Sequence, residues 1–138
     1  MEFVAAYSTA ILSLLVFVLI VLVQGAMVGA AKASAALTPG SSPKADYETA
    51  LYRLDRSHQN GVENLAPAAI ALFSCILVGA PSWWVNLLMV LFLLGRIVYA
   101  LIYLRNVGKP TQGIRTGVYV FSWAMIVILC CMAILSLI

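Results

Sequence analysis

Charge is scarce in this sequence. Only 9% of its 138 residues are charged, five of them acidic, and there is a single histidine, His58. Soluble domains carry roughly 25% charged residues, so the chain lacks the means to build a water-facing surface. One histidine and three cysteines without ligand spacing exclude a zinc site on ordinary rules. Cys75, Cys130 and Cys131 all fall in apolar stretches, where a thiol behaves as a small hydrophobe, and no disulfide is expected. The net charge of +3 is spread over loops and argues against nucleic-acid binding. Between Phe3 and Ala31 there is no charged residue at all. That run has no basic leader and is too long for the core of a signal peptide, so it reads as a retained helix. Its lack of an ionisable group also counts against a proton-coupled four-helix exporter.

What is abundant is apolar: 64% of the residues are hydrophobic. A helix needs about 20 apolar residues to cross a bilayer, and the pattern predicts four such crossings at residues about 3–31, 46–79, 82–106 and 112–138. They are separated by the Thr38-Pro39-Gly40-Ser41-Ser42-Pro43 cluster, the Gly79-Ala80-Pro81 turn and Gly108-Lys109-Pro110. The expected fold is an all-α membrane protein, one four-transmembrane-helix bundle over residues 1–138, with the lipid bilayer as its first partner. The second helix, at about 1.5 Å per residue, would be near 50 Å long and protrude at its start. Its Arg53 and Asp55 would then be solvated charges. Trp83 and Trp84 read as interfacial anchors.

Basic residues set the orientation. Lys32, Lys44, Arg53 and Arg56 lie at the first loop and Arg105, Lys109 and Arg115 at the third, while the middle hairpin and both termini have none. By the positive-inside rule, loops 32–46 and 105–115 face the cytoplasm and the termini lie on the opposite side. Arg96 remains, about nine residues before Arg105 and so roughly 13 Å deeper along the helix.

Three polar stripes point toward that cytoplasmic end. Arg96, Tyr99 and Tyr103 share a face of the third helix, and Arg56, Gln59, Asn60, Glu63 and Pro67 share one on the second. Arg115 and Tyr119 lie one turn apart on the fourth. A charge in the bilayer costs about 2.5–3.5 kcal/mol on insertion scales, so these groups should turn inward, pair or meet a polar ligand. An ion pair between Glu63 and Arg96 is one structural reading, and ordinary aromatic packing is another for the tyrosines. His58 could be an exposed polar residue or a hydrogen-bonding partner of a ligand or neighbouring subunit.

The run Arg56-Ser57-His58-Gln59-Asn60-Gly61-Val62-Glu63-Asn64-Leu65-Ala66-Pro67 resembles the second-helix signature of the membrane-associated proteins in eicosanoid and glutathione metabolism, the MAPEG family. Gly95-Arg96-Ile97-Val98-Tyr99-Ala100-Leu101-Ile102-Tyr103 resembles that family's third-helix motif, and the chain looks like a bacterial, microsomal glutathione transferase-like member. The resemblance implies a homotrimer with glutathione as co-substrate in clefts between subunits, and transferase or peroxidase activity on hydrophobic small molecules, serving detoxification. By position, Arg56, His58, Asn60 and Glu63 would hold glutathione's polar ends, Glu63 its ammonium and Arg56 a carboxylate. Arg96, Tyr99, Tyr103 and Tyr119 would line the same site. Arg115 resembles the arginine that stabilises the thiolate, the catalytic role, since a nearby cation lowers a thiol pKa.

The pattern departs from the family in three places. Lys32 stands where some members carry an arginine, so it keeps the charge and loses the bidentate fork. Gln59 replaces a residue that is basic in some members, and the Tyr103 to Arg115 segment is longer than in the mammalian enzymes. These departures leave a competing reading, a non-enzymatic protein of the same fold that binds a lipid or another anionic thiol.

Overall fold

The computed structural model describes residues 2–108 and 113–138. Lys109 and the expected helix start at Gln112 lie outside the described residues. Helix α1 (Glu2–Ala5) is short; α2 (Ser8–Ser34), α3 (Ala50–Leu77), α4 (Ser82–Leu104) and α5 (Ile114–Leu135) follow. These last four are long and apolar enough to cross a membrane, and α3 is the least apolar of them. α3 and α4 pack against each other and against both α2 and α5, so they form the shared middle of the bundle.

The first crossing is not continuous. Asn86 of α4 inserts its amide into the helical ladder, donating from Nδ2 to the Ala6 carbonyl at 2.8 Å and accepting from the Ala10 N–H at 2.9 Å. Those two backbone groups are the pair an unbroken helix would join, so the side chain substitutes for one i to i+4 bond and separates α1 from α2. Tyr7, in the break, is buried and donates its hydroxyl to the Ala80 carbonyl at the α3–α4 turn.

α3 starts at Ala50, four residues later than the hydropathy pattern implies. Asp46 accepts the Glu48 N–H at 2.9 Å and its carbonyl accepts the Thr49 hydroxyl at 2.8 Å, which folds 46–49 into a turn instead of helix. At the other end of the bundle, Gly79 (φ 69) closes α3 with Ala80 N–H on the Cys75 carbonyl and Gly79 N–H on that of Ile76, a left-handed cap that glycine adopts without steric cost.

The apolar interior runs the length of the bundle. Phe17 of α2 meets Phe92 of α4 edge-on at 5.0 Å, and Leu72, Val85, Met89 and Leu129 fill the space around them. Cys75 is buried there and donates its thiol to the Leu129 carbonyl; Cys130 and Cys131 face outward, and all three are free. Leu12, Leu15, Leu19 and Leu22 on α2 and Trp83 and Trp84 on α4 are exposed, as lipid-facing side chains must be.

Candidate functional site

At the end of the bundle where α3 starts, α4 ends and α5 starts, a cleft of about 310 Å³ opens. It is lined by Arg56, Asn60 and Glu63 of α3, Tyr99 and Tyr103 of α4, and Arg115, Thr116 and Tyr119 of α5. Helical spacing explains the selection: 56, 60 and 63 are four and three apart, 99 and 103 four apart, and 115 and 116 lie four and three residues before 119, so each set projects from one side of its helix. No residue of α2 lines the cleft, and Glu63 and Thr116 are exposed at its rim. Two larger grooves, about 610 and 370 Å³, are lined almost wholly by apolar side chains such as Leu12, Leu15, Leu19 and Leu101. The polar chemistry is concentrated in the smaller cleft.

Arg96 lies behind the cleft, 3% exposed. Its Nη2 donates to Asn60 Oδ1 at 2.7 Å, and its guanidinium stands 4.7 Å from the Tyr99 ring and 5.7 Å from that of Phe17. Asn60 is held in turn by Asn64, whose Nδ2 reaches the Asn60 carbonyl. The ion pair between Glu63 and Arg96 does not form. Among the described residues the one pair within 4.0 Å is Lys32 Nζ with Asp55 Oδ1, at 2.7 Å.

That pair removes Lys32 from the cleft and corrects the reading of Asp55 as a solvated charge. Asp55 turns inward toward α2 and is buried there. His58 is two positions from Arg56, about 200° around the helix, so it too faces α2. It packs so closely on Gly25 that a Cβ there would sit 3.1 Å from His58 Cε1. Of the residues singled out in the sequence, the structure therefore gathers Arg56, Asn60, Glu63, Tyr99, Tyr103, Arg115 and Tyr119 and sets Arg96 behind them. It leaves Lys32 and His58 on another face.

Arg115 is also 3% exposed. Its Nε donates to the Val107 carbonyl at 3.0 Å and its Nη2 to Asn106 Oδ1 at 2.8 Å. Both acceptors belong to the cap of α4. Asn106 (φ 54) takes the left-handed conformation that asparagine tolerates, its N–H bonds the Tyr103 carbonyl, and Val107 N–H bonds that of Ile102. The way α4 ends thus builds the cradle for an arginine eight residues further on. Among the described residues Nη1 of Arg115 has no hydrogen-bond partner, and every acceptor it does have is neutral.

Arg53, read from the sequence as solvated, is buried as well. Its Nε donates to the Tyr103 carbonyl at 3.1 Å, and its Nη1 donates to those of Tyr47 and Glu48 at 2.6 and 2.8 Å. This ties the α2–α3 loop to the end of α4. Burial, and after it the neighbouring phenols of Tyr103 and Tyr52, push the Tyr47 hydroxyl above its ordinary pKa of 10.0. Thr116 was legible in principle, being three residues before Tyr119 on the same face. Tyr47 and Asn106 were not, because loop residues have no periodicity to betray them.

A protein-family description, the MAPEG family, matches residues 5–135, nearly the whole chain. The chain belongs to the MAPEG family. No curated protein matches it significantly. Membership in MAPEG makes this a multi-pass membrane protein from a family of glutathione and eicosanoid metabolism that includes glutathione transferases. In this MAPEG chain the second-helix and third-helix motifs meet across one cleft: Arg56, Asn60 and Glu63 on one wall, Tyr99 and Tyr103 on another.

Proposed function

We propose that this chain is a membrane-bound glutathione transferase or peroxidase, a single four-helix transmembrane domain assembled as a homotrimer. The observation that carries the reading is Arg115, a buried guanidinium bonded only to neutral acceptors. A charge so placed has no counter-ion and is costly in a membrane protein unless an anion meets it. A thiolate at Nη1 would be that anion, and the cation would raise the reactive fraction of the thiol.

The other cleft groups match the rest of the tripeptide. Arg56 suits a carboxylate through two parallel N–H donors, and Glu63 suits the ammonium. Tyr99, Tyr103 and Tyr119 supply hydroxyls and ring faces between them. The thiolate sulfur would attack a hydrophobic electrophile and expel its leaving group. In the peroxidase reaction, two thiols would reduce a lipid hydroperoxide to an alcohol and water, forming a disulfide. Substrates would enter from the bilayer, and the absence of α2 from the cleft wall leaves a side for a second subunit to cover. The basic loops beside the cleft support a cytoplasmic opening under the positive-inside rule. Lys32, on α2 and paired with Asp55, and His58, turned toward α2, take no part within one chain.

The test is glutathione added to the purified protein in detergent, following ultraviolet thiolate absorbance and, separately, binding. The expected result is a saturable signal that Arg115→Ala abolishes, with turnover of an aryl halide or a lipid hydroperoxide. An opposite charge nearby shifts a pKa by about 1–3 units, so Arg115→Ala should cost about 10- to 1000-fold in thiolate below the wild-type midpoint. Binding without a thiolate would favour the non-enzymatic reading, and no binding at all would remove glutathione as the ligand.

A further inference from the structure

Four guanidiniums gather at this end of the bundle, those of Arg53, Arg56, Arg96 and Arg115; Arg56 and Arg115 line the cleft, Arg96 lies behind it, and Arg53 takes no part in its wall. Arg53 spends its donors on the carbonyls of Tyr47, Glu48 and Tyr103, so a buried charge is used to fix the position of two tyrosines in space. Both of those rings stand against Arg115: its Cζ is 5.4 Å from the centre of the Tyr47 ring and 5.0 Å from that of Tyr103. The rings are 6.3 Å apart at 54°, so they form a corner around the guanidinium. Tyr47 is steadied from behind by Tyr52, edge-on at 5.0 Å.

A guanidinium bonded at Nε and Nη2 can still swing about that edge. Rings within about 6 Å hold it by attraction of the cation to the π face. Tyr103 alone covers one direction; the loop ring covers the second. We propose that Tyr47, seated by Arg53, is a positioning residue for Arg115: it holds the guanidinium in the cleft wall with its unpartnered Nη1 kept in place. The proposal rests on the reading of Arg115 as the thiolate-stabilising cation. It adds the α2–α3 loop to the machinery, a segment that carries no residue of the cleft wall.

The ring and not the hydroxyl does this, which separates the proposal from a general stabilising role. Tyr47→Phe keeps the ring and Tyr47→Leu removes it at similar bulk. In the full-length protein in detergent, the thiolate of bound glutathione is titrated against pH and glutathione affinity is measured separately by equilibrium dialysis. The charged and titratable groups facing Arg115 and the cleft, namely Arg56, Glu63, Tyr99, Tyr103 and Tyr119, are the same in every variant, so a moved midpoint reports position 47.

The loss of one cation–π contact predicts about three- to tenfold less thiolate for Tyr47→Leu at a fixed pH below the midpoint. Tyr47→Phe should match wild type, and affinity should stay within about threefold for both. A second readout needs no glutathione: the rate at which phenylglyoxal modifies Arg115, read by peptide mass. Arg115 should react several-fold faster in Tyr47→Leu only. A Leu variant that behaves as wild type in both readouts overturns the proposal, as does a Phe variant that fails alongside it. If the wild-type protein forms no thiolate, the glutathione reading falls, and faster modification in Tyr47→Leu still upholds the positioning of Arg115 while an unchanged rate overturns it.

Discussion

Arg96 and Arg115 are equally buried and answer that burial differently. Each bonds a side-chain amide and stands against two aromatic rings, but Arg115 also bonds a cap carbonyl and lines the cleft, whereas Arg96 lies behind it. The Lys32–Asp55 pair takes the third course, direct neutralisation at 2.7 Å between α2 and α3. Breaking a fully buried pair costs about 3–5 kcal/mol, whereas replacing both partners with apolar side chains is often neutral. Lys32 keeps 17% exposure, so Lys32→Met should cost less, about 1–3 kcal/mol, because Asp55 is then left alone. Lys32→Met with Asp55→Leu should recover most of that. Thermal unfolding in detergent checks it, and equal loss in both variants would show that the pair contributes through something other than charge.

At the scale of the helices, the α4–α5 contact positions the site most directly, because it brings Arg115 and Tyr119 to Tyr99 and Tyr103. Gly95 allows the approach. A Cβ at that position would collide with Ser122 Oγ and come within 3.2 Å of Phe121 Cδ1, so an added methyl fits only if the Ser122 hydroxyl rotates away and the Phe121 ring gives. Overpacking of this kind costs about 1–3 kcal/mol. Gly95→Ala should therefore lower stability by that amount and weaken glutathione binding with it. Adding Ser122→Gly, which removes the first obstacle, should restore part of both. An unperturbed Gly95→Ala would mean that the two helices can separate without cost to the site.

For the whole molecule, the sidedness expected from seven cations at two loops can be checked directly. In a background with Cys75, Cys130 and Cys131 replaced, Lys44→Cys should react with an impermeant maleimide only from the cytoplasmic side of sealed vesicles. A cysteine at Ser82, in the opposite hairpin, should react only from the other side. The reverse pattern would place the cleft on the far side of the membrane from the one charge predicts.

Four crossings, their order, and the polar faces at 56–63, 96–103 and 115–119 could be read directly, because helical periodicity and the bilayer's aversion to charge both act along the chain. Every residue of the cleft wall except Thr116 was legible on those grounds. The break before α2 was not. It is made by Asn86, 76 residues from the Ala10 N–H it accepts, and nothing near Ala6 announces it.

The same holds for the charges of α3. Arg53, Asp55 and His58 look like the solvated start of a long helix, yet each is turned to a partner that only the bundle supplies: the Tyr47 and Tyr103 carbonyls, Lys32, and Gly25. The sequence by itself determined the number of crossings and which faces are polar, since these depend on composition and spacing. Which polar groups meet each other, and which cations are left facing the cleft without a counter-charge, was decided by tertiary structure. Hydrogen bonds and ion pairs depend on distance in space, and partners such as Lys32 and Asp55, Asn60 and Arg96, and Arg53 and Tyr103 lie tens of residues apart.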